Sequence, residues 1–314
     1  MIPGRNEILA AEERIRSHVR TTPVMNVDMD GIPVVAKLEL LQHTGSFKPR
    51  GAFNRVLGSG SVPESGLIAA SGGNHGLAVA HVAAQLGIQA EVFVTEVTPA
   101  LKREGIAALG AQVVVGGPLY ADALAASQRR AAVSGALEVH AYDHELTVAG
   151  QATMGIEIER QVPDVDTVVM AVGGGGFAAG TAAWLTDRAR VVCVEPEGSQ
   201  AFGAAKAAGR PVDVDVESIA SDSLGARRIG DVPFAALSEA GAESVLVDDD
   251  SIVRAQRWLW DRLRLIAEPG GAAATAAVLS GRYRPRPGER VVVVVCGANT
   301  DPAAITRSGP RNGA

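Results

Sequence analysis

An α/β fold on parallel sheets is predicted for this chain by three features of its 314 residues. Short apolar runs rich in valine and alanine alternate with helix-length segments almost throughout, and strand–helix alternation of this kind implies parallel sheets covered by helices. The run Val291–Val295 is unbroken valine, as a strand buried on both faces requires. Glycine (36) and proline (16) make up about one residue in six, above the usual share of about 12%, which predicts many short, tight connections.

The predicted strands follow one another at 34–40, 67–70, 90–94, 111–115, 167–172, 190–194, 244–247 and 290–296. Helix patterns fall between them, among them 74–87 and 98–110, the latter closing at Gly110 as a C-cap. Over 250–266, Ile252, Ala255, Leu259, Leu263 and Ile266 form one stripe, with Asp249 or Asp250 as the N-cap. Val168 to Leu185 carries no charge, but the four glycines at 173–176 divide it, so strand, turn and helix explain it better than a membrane span. The polar tail after Thr306 is expected to fray.

Composition narrows the function classes. With 47% hydrophobic and 20% charged residues the chain is a folded globular protein. A net charge of −6 and few aromatic residues argue against nucleic acid as a partner, because phosphate backbones need a basic face. Cys193 and Cys296 cannot build a disulfide framework, and no CxxC pair is present. The charged N-terminus lacks a signal-peptide core, so a soluble, cytoplasmic protein with no membrane partner is predicted.

Three segments carry chemistry. AVGGGGFAAGT (171–181) follows a predicted strand and opens a predicted helix, where glycine N–H groups and the helix dipole favour a phosphate; a tight packing turn is the plainer alternative. The dinucleotide pattern fits loosely through Gly173, Gly175 and either Gly176 or Ala178, with Glu195 at the end of the next strand, which keeps a nicotinamide-dependent oxidoreductase open. SGGNHG (71–76) offers Ser71, Asn74 and backbone donors at a helix start, suited to a carboxylate or merely to capping. In TGSFKPRG (44–51), Lys48 precedes Pro49. An isolated lysine there is usually a solvated charge, but beside Phe47 and small residues it can be desolvated into a nucleophilic amine. His140, Asp143, His144 and Glu145 can be drawn as a metal cluster, yet a polar loop explains them equally well. Ser71 and His75 lack the GxSxG elbow of a hydrolase.

In this order the segments resemble the fold type II pyridoxal-phosphate enzymes (tryptophan synthase β-like). More narrowly, they resemble the group of serine/threonine dehydratases (threonine ammonia-lyases) and serine racemases. The resemblance runs from Ile8 to Asp301 on TGSFKPRGA (44–52), SGGNHG, AGQAT (149–153), GGGGFAAG (173–180), EPGGAA (268–273) and CGANTD (296–301). It implies a large cofactor-binding domain of residues 1–65 and 144–314, a small substrate-loop domain of 66–143, and a homodimer. It also implies that Lys48 holds pyridoxal 5'-phosphate as a Schiff base, Asn74 bonds the ring hydroxyl and Phe47 packs beside the ring. Gly173, Gly174, Gly175 and Gly176 would cradle the phosphate. Ser71, with the backbone of Gly72, Gly73 and His75, would hold the carboxylate of an amino-acid substrate.

Cys296 falls where many relatives place a serine against the pyridine nitrogen. A neutral thiol cannot protonate that nitrogen well, which favours prompt loss of a β leaving group. The racemases' second base, two residues before the asparagine, is matched by Gly72, so little racemase activity is expected. Of the cation ligands of several relatives, Glu195 is retained but a later acid is matched by Ala201, and no metal is assigned. The expected reaction converts L-threonine or L-serine to a 2-oxo acid and ammonia, with Lys48 as general base. Thirteen residues after CGANTD leave no room for the regulatory domain of biosynthetic relatives. Rival readings are a hydroxyectoine-pathway dehydratase, a β-replacement enzyme of the cysteine synthase or threonine synthase type, the nicotinamide-dependent oxidoreductase, and a binding protein with a decayed site.

Overall fold

The computed structural model describes residues 1–306; the tail expected to fray lies outside the described residues. Two sheets carry the chain. The six-stranded sheet joins β1 (Val24–Met29), β2 (Ile32–Lys37), β7 (Thr167–Ala171), β8 (Arg190–Pro196), β9 (Glu243–Val247) and β10 (Val291–Val294), in the order β1-β2-β10-β7-β8-β9. The four-stranded sheet joins β3 (Leu67–Ala70), β4 (Ala90–Val94), β5 (Gln112–Val115) and β6 (Leu137–Glu138), in the order β5-β4-β3-β6. Every pairing is parallel except the β1–β2 hairpin, which turns at Asp30 and Gly31, both at positive φ.

Helices fill the intervals: α1 (Arg5–Ile15), α2 (Lys48–Leu57), α3 (Asn74–Leu86), α4 (Ala100–Ala108), α5 (Tyr120–Ser134), α6 (Glu145–Gln161) and α7 (Gly176–Leu185). They continue with α8 (Ala201–Ala208), α9 (Ser221–Leu224), α10 (Asp231–Glu239), α11 (Asp249–Leu263), α12 (Pro269–Leu279) and α13 (Pro302–Thr306). Among the described residues, no helix is long and apolar enough to cross a membrane. The N-cap of α11 is Asp248, not Asp249 or Asp250: its carboxylate accepts from the Ser251 N–H at 2.7 Å. Asp249 and Asp250 already lie in the first turn, where their charge favours the helix dipole. The helix ends at Leu263, so Ile266 lies beyond the stripe assigned to it.

The larger core packs β2, β7, β8 and β10 under α6, α7, α11 and α12, with Val291–Val295 wholly buried. A second core forms around β3, β4 and α3, and takes in Ile15 of α1 and Ala52, Phe53 and Val56 of α2. Helix α2 also packs on α6, so it is wedged between the two cores with Lys48 as its first residue.

Beneath α2 lies a buried set of charges. Arg50 makes a two-pronged contact with Glu39, both prongs 2.8 Å, and reaches Glu157 at 2.7 Å. Lys37 Nζ donates to Glu157 at 2.5 Å. Two cations thus face two carboxylates, which is how charge is tolerated away from water. At the far end of α7, the buried Trp184 donates its Nε1–H to Glu159 at 2.8 Å, and the Arg5 guanidinium sits 3.8 Å from its ring centroid.

Candidate active site

A cavity opens where α/β folds usually place ligands, beyond the carboxyl ends of β7 and β10. Phe47, Lys48, Asn74, the four glycines 173–176 and Cys296 all line it, together with Tyr142, Ser223 and Glu268. Residues far apart in sequence therefore meet at one place.

Lys48 is positioned by Pro49, whose fixed φ suits the first turn of α2. Its Nζ donates to the Ala141 carbonyl at 3.2 Å. Burial lowers its pKa to about 8, against the opposing pull of Cys296 and Glu268. The solvated-charge alternative therefore fails, and a sizeable neutral fraction is present near pH 8.

The glycine turn links β7 to α7, with Gly175 at φ +90°. A side chain at Gly174 would run into the Tyr142 ring, and a Cβ at Gly176 would lie 2.7 Å from the Tyr142 carbonyl. Only backbone fits between this turn and the 140–143 segment. What remains are N–H groups at the start of a ten-residue helix, a cradle suited to a phosphate. Phe47 and Phe177 stack with centroids 3.9 Å apart and planes 6° from parallel, joining the lysine segment to the glycine turn.

Asn74 begins α3. Its Nδ2 donates to Glu268 Oε1 at 2.5 Å, and its Oδ1 accepts from Asn299 Nδ2 at 2.6 Å. Burial raises the Glu268 pKa to about 7. Cys296 Sγ lies 3.7 Å from the Gly270 carbonyl, and burial pushes its thiol well up, so it is neutral.

Of the SGGNHG segment only Asn74 lines this cavity; Ser71, Gly72, Gly73 and His75, expected to hold a substrate carboxylate, lie beside it. Ser71 Oγ accepts from the Gly73 N–H at 3.2 Å, and Gly72 packs under Thr98, where a Cβ would meet the Thr98 side chain at 2.6 Å. The His75 ring is buried with Nε2 2.6 Å from the Val139 carbonyl, and burial lowers its pKa to about 3. This neutral, occupied ring leaves the Ser71 hydroxyl hydrogen and the backbone N–H groups of the first turn of α3 for an anion.

The remaining polar candidates are spent locally. His140 Nδ1 accepts from the Asp143 N–H, His144 caps α6, and Asp143 accepts from Val232 N. Among the described residues, no three His, Cys, Asp or Glu side chains gather to hold a metal. Both Glu195 oxygens accept backbone N–H groups at the start of α8, from Phe202 (2.7 Å) and Gly203 (2.8 Å). That carboxylate caps the start of α8.

Glu268, Asn299 and Tyr142 are site residues that sequence reasoning left without a role. The first two sit inside quoted motifs, EPGGAA and CGANTD, which was the available signal. A lysine with lowered pKa, a glycine cradle, an asparagine with a free amide hydrogen and a neutral thiol fit pyridoxal phosphate. The family model described as "Pyridoxal-phosphate dependent enzyme" matches residues 15–297. The phenylserine dehydratase of Ralstonia pickettii is 34% identical over 98% of this chain and 96% of that protein. The L-threonine ammonia-lyase of Geobacter sulfurreducens is also 34% identical, over 95% of this chain and 76% of that protein. Maize serine racemase superposes with a TM-score of 0.90 at 28% identity, covering 97% of this chain and 96% of that one. From the cavity to the whole chain, this protein belongs to the fold type II family of pyridoxal-phosphate dependent enzymes.

Proposed function

We propose that the chain removes water and then ammonia from small β-hydroxy L-amino acids, L-threonine and L-serine foremost, giving a 2-oxo acid. The observation that carries this reading is Lys48: a half-buried lysine whose amine is held at pKa about 8 by desolvation, lining the same cavity as the glycine cradle. The names of the relatives, a phenylserine dehydratase and an L-threonine ammonia-lyase, support the same class of substrate.

Pyridoxal phosphate, when bound, supplies an electron sink for charge developing at the substrate Cα. The N–H groups of Gly173 to Gly176 would hold its phosphate, Asn74 would bond its ring hydroxyl, and Cys296 would face its ring nitrogen as a neutral thiol. The backbone at 71–75 orients the substrate carboxylate at the start of α3. Lys48 Nζ takes the Cα proton, with a basicity close to the working pH, as an effective general base requires. Loss of the β-hydroxyl gives an enamine that hydrolyses to the oxo acid and ammonia. The Phe47–Phe177 stack and the Tyr142 ring cover the glycine turn and would limit water beside a phosphate held there.

The reading extends to a small domain of residues 66–143 that closes on the rest of the chain, supported by the ion pair of Lys102 on α4 with Asp222 on α9. It extends also to a cytoplasmic homodimer, in line with the prevalence of two-fold oligomers and with two free, buried cysteines.

Purified protein given pyridoxal phosphate should develop the visible absorbance of a lysine-bound cofactor. Oxo acid and ammonia should follow from L-threonine and L-serine, and not from O-acetyl-L-serine plus sulfide as cysteine. Lys48→Ala should lose both the bound absorbance and turnover. Turnover retained by that variant would remove Lys48 as the base.

A further inference from the structure

A single side chain, Asn299, touches both segments that the cavity draws together. Its Nδ2 donates to the Thr44 carbonyl at 2.7 Å and to Asn74 Oδ1 at 2.6 Å. Thr44 lies four residues before Lys48, and Asn74 opens the helix of the other core. We infer that Asn299 is a positioning residue that orients the Asn74 amide toward the cofactor and holds the Lys48 segment in register with it. This rests on the reading that Asn74 meets the ring hydroxyl.

The direction of the chain of bonds is dictated from one end. A backbone carbonyl only accepts, so the Asn299 atom facing Thr44 must be its NH₂ group. The same atom faces Asn74, which must therefore present its oxygen. The Asn74 Nδ2 then points the other way, one hydrogen toward Glu268 at 2.5 Å and the second free to donate. The amide orientation that a ring oxygen needs is thus set by a carbonyl that cannot titrate.

The Thr44 carbonyl is itself held in an uncommon position. Thr44 is at φ +59°, a left-handed conformation unfavourable for a β-branched residue, and Gly45 follows at φ +72°. A Cβ at Gly45 would lie 2.8 Å from Asn299 Oδ1. Three backbone links accompany the side chain: Ala298 N to Gly45 O at 2.9 Å, a bridge between Ser46 and Gly297, and Phe47 N to Cys296 O at 3.4 Å. The segment before Lys48 is therefore laid along 296–299, and Asn299 is where that brace extends to Asn74.

The test is a double-mutant cycle on cofactor affinity, read by titrating the visible absorbance of pyridoxal phosphate into protein freed of it. Asn299→Ala alone should weaken binding about tenfold, the scale of one lost hydrogen bond network to a ligand-facing group. In an Asn74→Ala background the same change should cost clearly less than tenfold, because the part of its effect carried by Asn74 is already gone and only the brace on Thr44 is left to lose. Asn299→Asp, whose carboxylate cannot donate to Thr44 or Asn74, should bind as weakly as the alanine variant and shift the absorbance of bound cofactor. Should the alanine variant fail to fold, the aspartate variant carries the same cycle. Costs that multiply independently, or unchanged affinity and spectrum in both variants, would overturn the role of Asn299. A wild-type chain that takes up no cofactor would instead sink the reading beneath it.

Discussion

Burial holds Lys48 and His75 below their ordinary pKa values, with different consequences. Lys48, lowered to about 8, is a usable base. His75, lowered to about 3 with its ring on the Val139 carbonyl, is a structural donor. An imidazole that protonates less readily folded than unfolded makes the unfolded chain the better proton acceptor between pH 6.5 and 3. Its contribution to stability is therefore complete above pH 6.5 and falls by about 1.4 kcal/mol per pH unit as pH drops toward 3. His75→Gln keeps a donor for Val139 and removes the titration. Chemical denaturation at pH 7 and pH 5 should show the variant losing less stability than wild type between the two; equal losses would reassign the acid sensitivity. Lys48, Asn74 and the glycines were legible in the sequence because each sits at the head of a helix within a short, compositionally odd run. Glu268 and Asn299 were not, because their roles exist only through contacts with Asn74 across about two hundred residues.

At the scale of elements, α11 and α2 make separate predictions. Asp248→Ala removes the N-cap of α11 and should cost about 1 kcal/mol, a fall in Tm of about 1–2 °C by calorimetry. Asp250→Ala, at a position expected from sequence as an alternative N-cap, should cost visibly less, whereas Asp249 also accepts from Ser218 and Ile219. Arg50→Met takes the guanidinium from Glu39 and leaves Glu157 to Lys37, and breaking a buried pair in this way costs about 3–5 kcal/mol. A smaller loss in urea unfolding would mean that water reaches the two carboxylates. The central strands were readable because burial on both faces demands unbroken apolar runs. β1 was missed because VMNVDM is an edge strand with mostly part-exposed residues, and β6 because two residues carry no period. The N-cap slipped by one residue because three consecutive aspartates, 248–250, give composition no way to choose; the hydrogen bond to Ser251 does.

On the scale of the whole molecule, the cavity lies where the two sheets face each other, and its walls come from both. Asn74 belongs to the four-stranded side, Gly173 to Gly176 and Cys296 to the six-stranded side, and α2 lies between. A ligand that binds this arrangement and not the unfolded chain stabilises the fold by mass action. Pyridoxal phosphate at a hundred times its Kd should add about 2.7 kcal/mol, seen as a rise in Tm, and Gly174→Ala should remove most of that rise, because its methyl collides with the Tyr142 ring and forces the turn and the ring apart. The alternation of strands and helices made the parallel architecture legible, whereas the sharing of α1 and α2 between two cores depends on packing that no local pattern encodes.

Helix α7 also gives this protein an internal optical gauge. It begins at Gly176 in the glycine cradle and carries Trp184 eight residues later, about 12 Å along its axis. Trp184 is buried and fixed by Glu159 and Arg5, so its emission cannot wander with solvent. The chain has three tryptophans. With Trp258 and Trp260 replaced by phenylalanine, the remaining fluorophore sits within energy-transfer range of anything held at the cradle that absorbs near its emission. Quenching of that single lamp would then report occupancy in real time, without a coupled assay and before any substrate turns over.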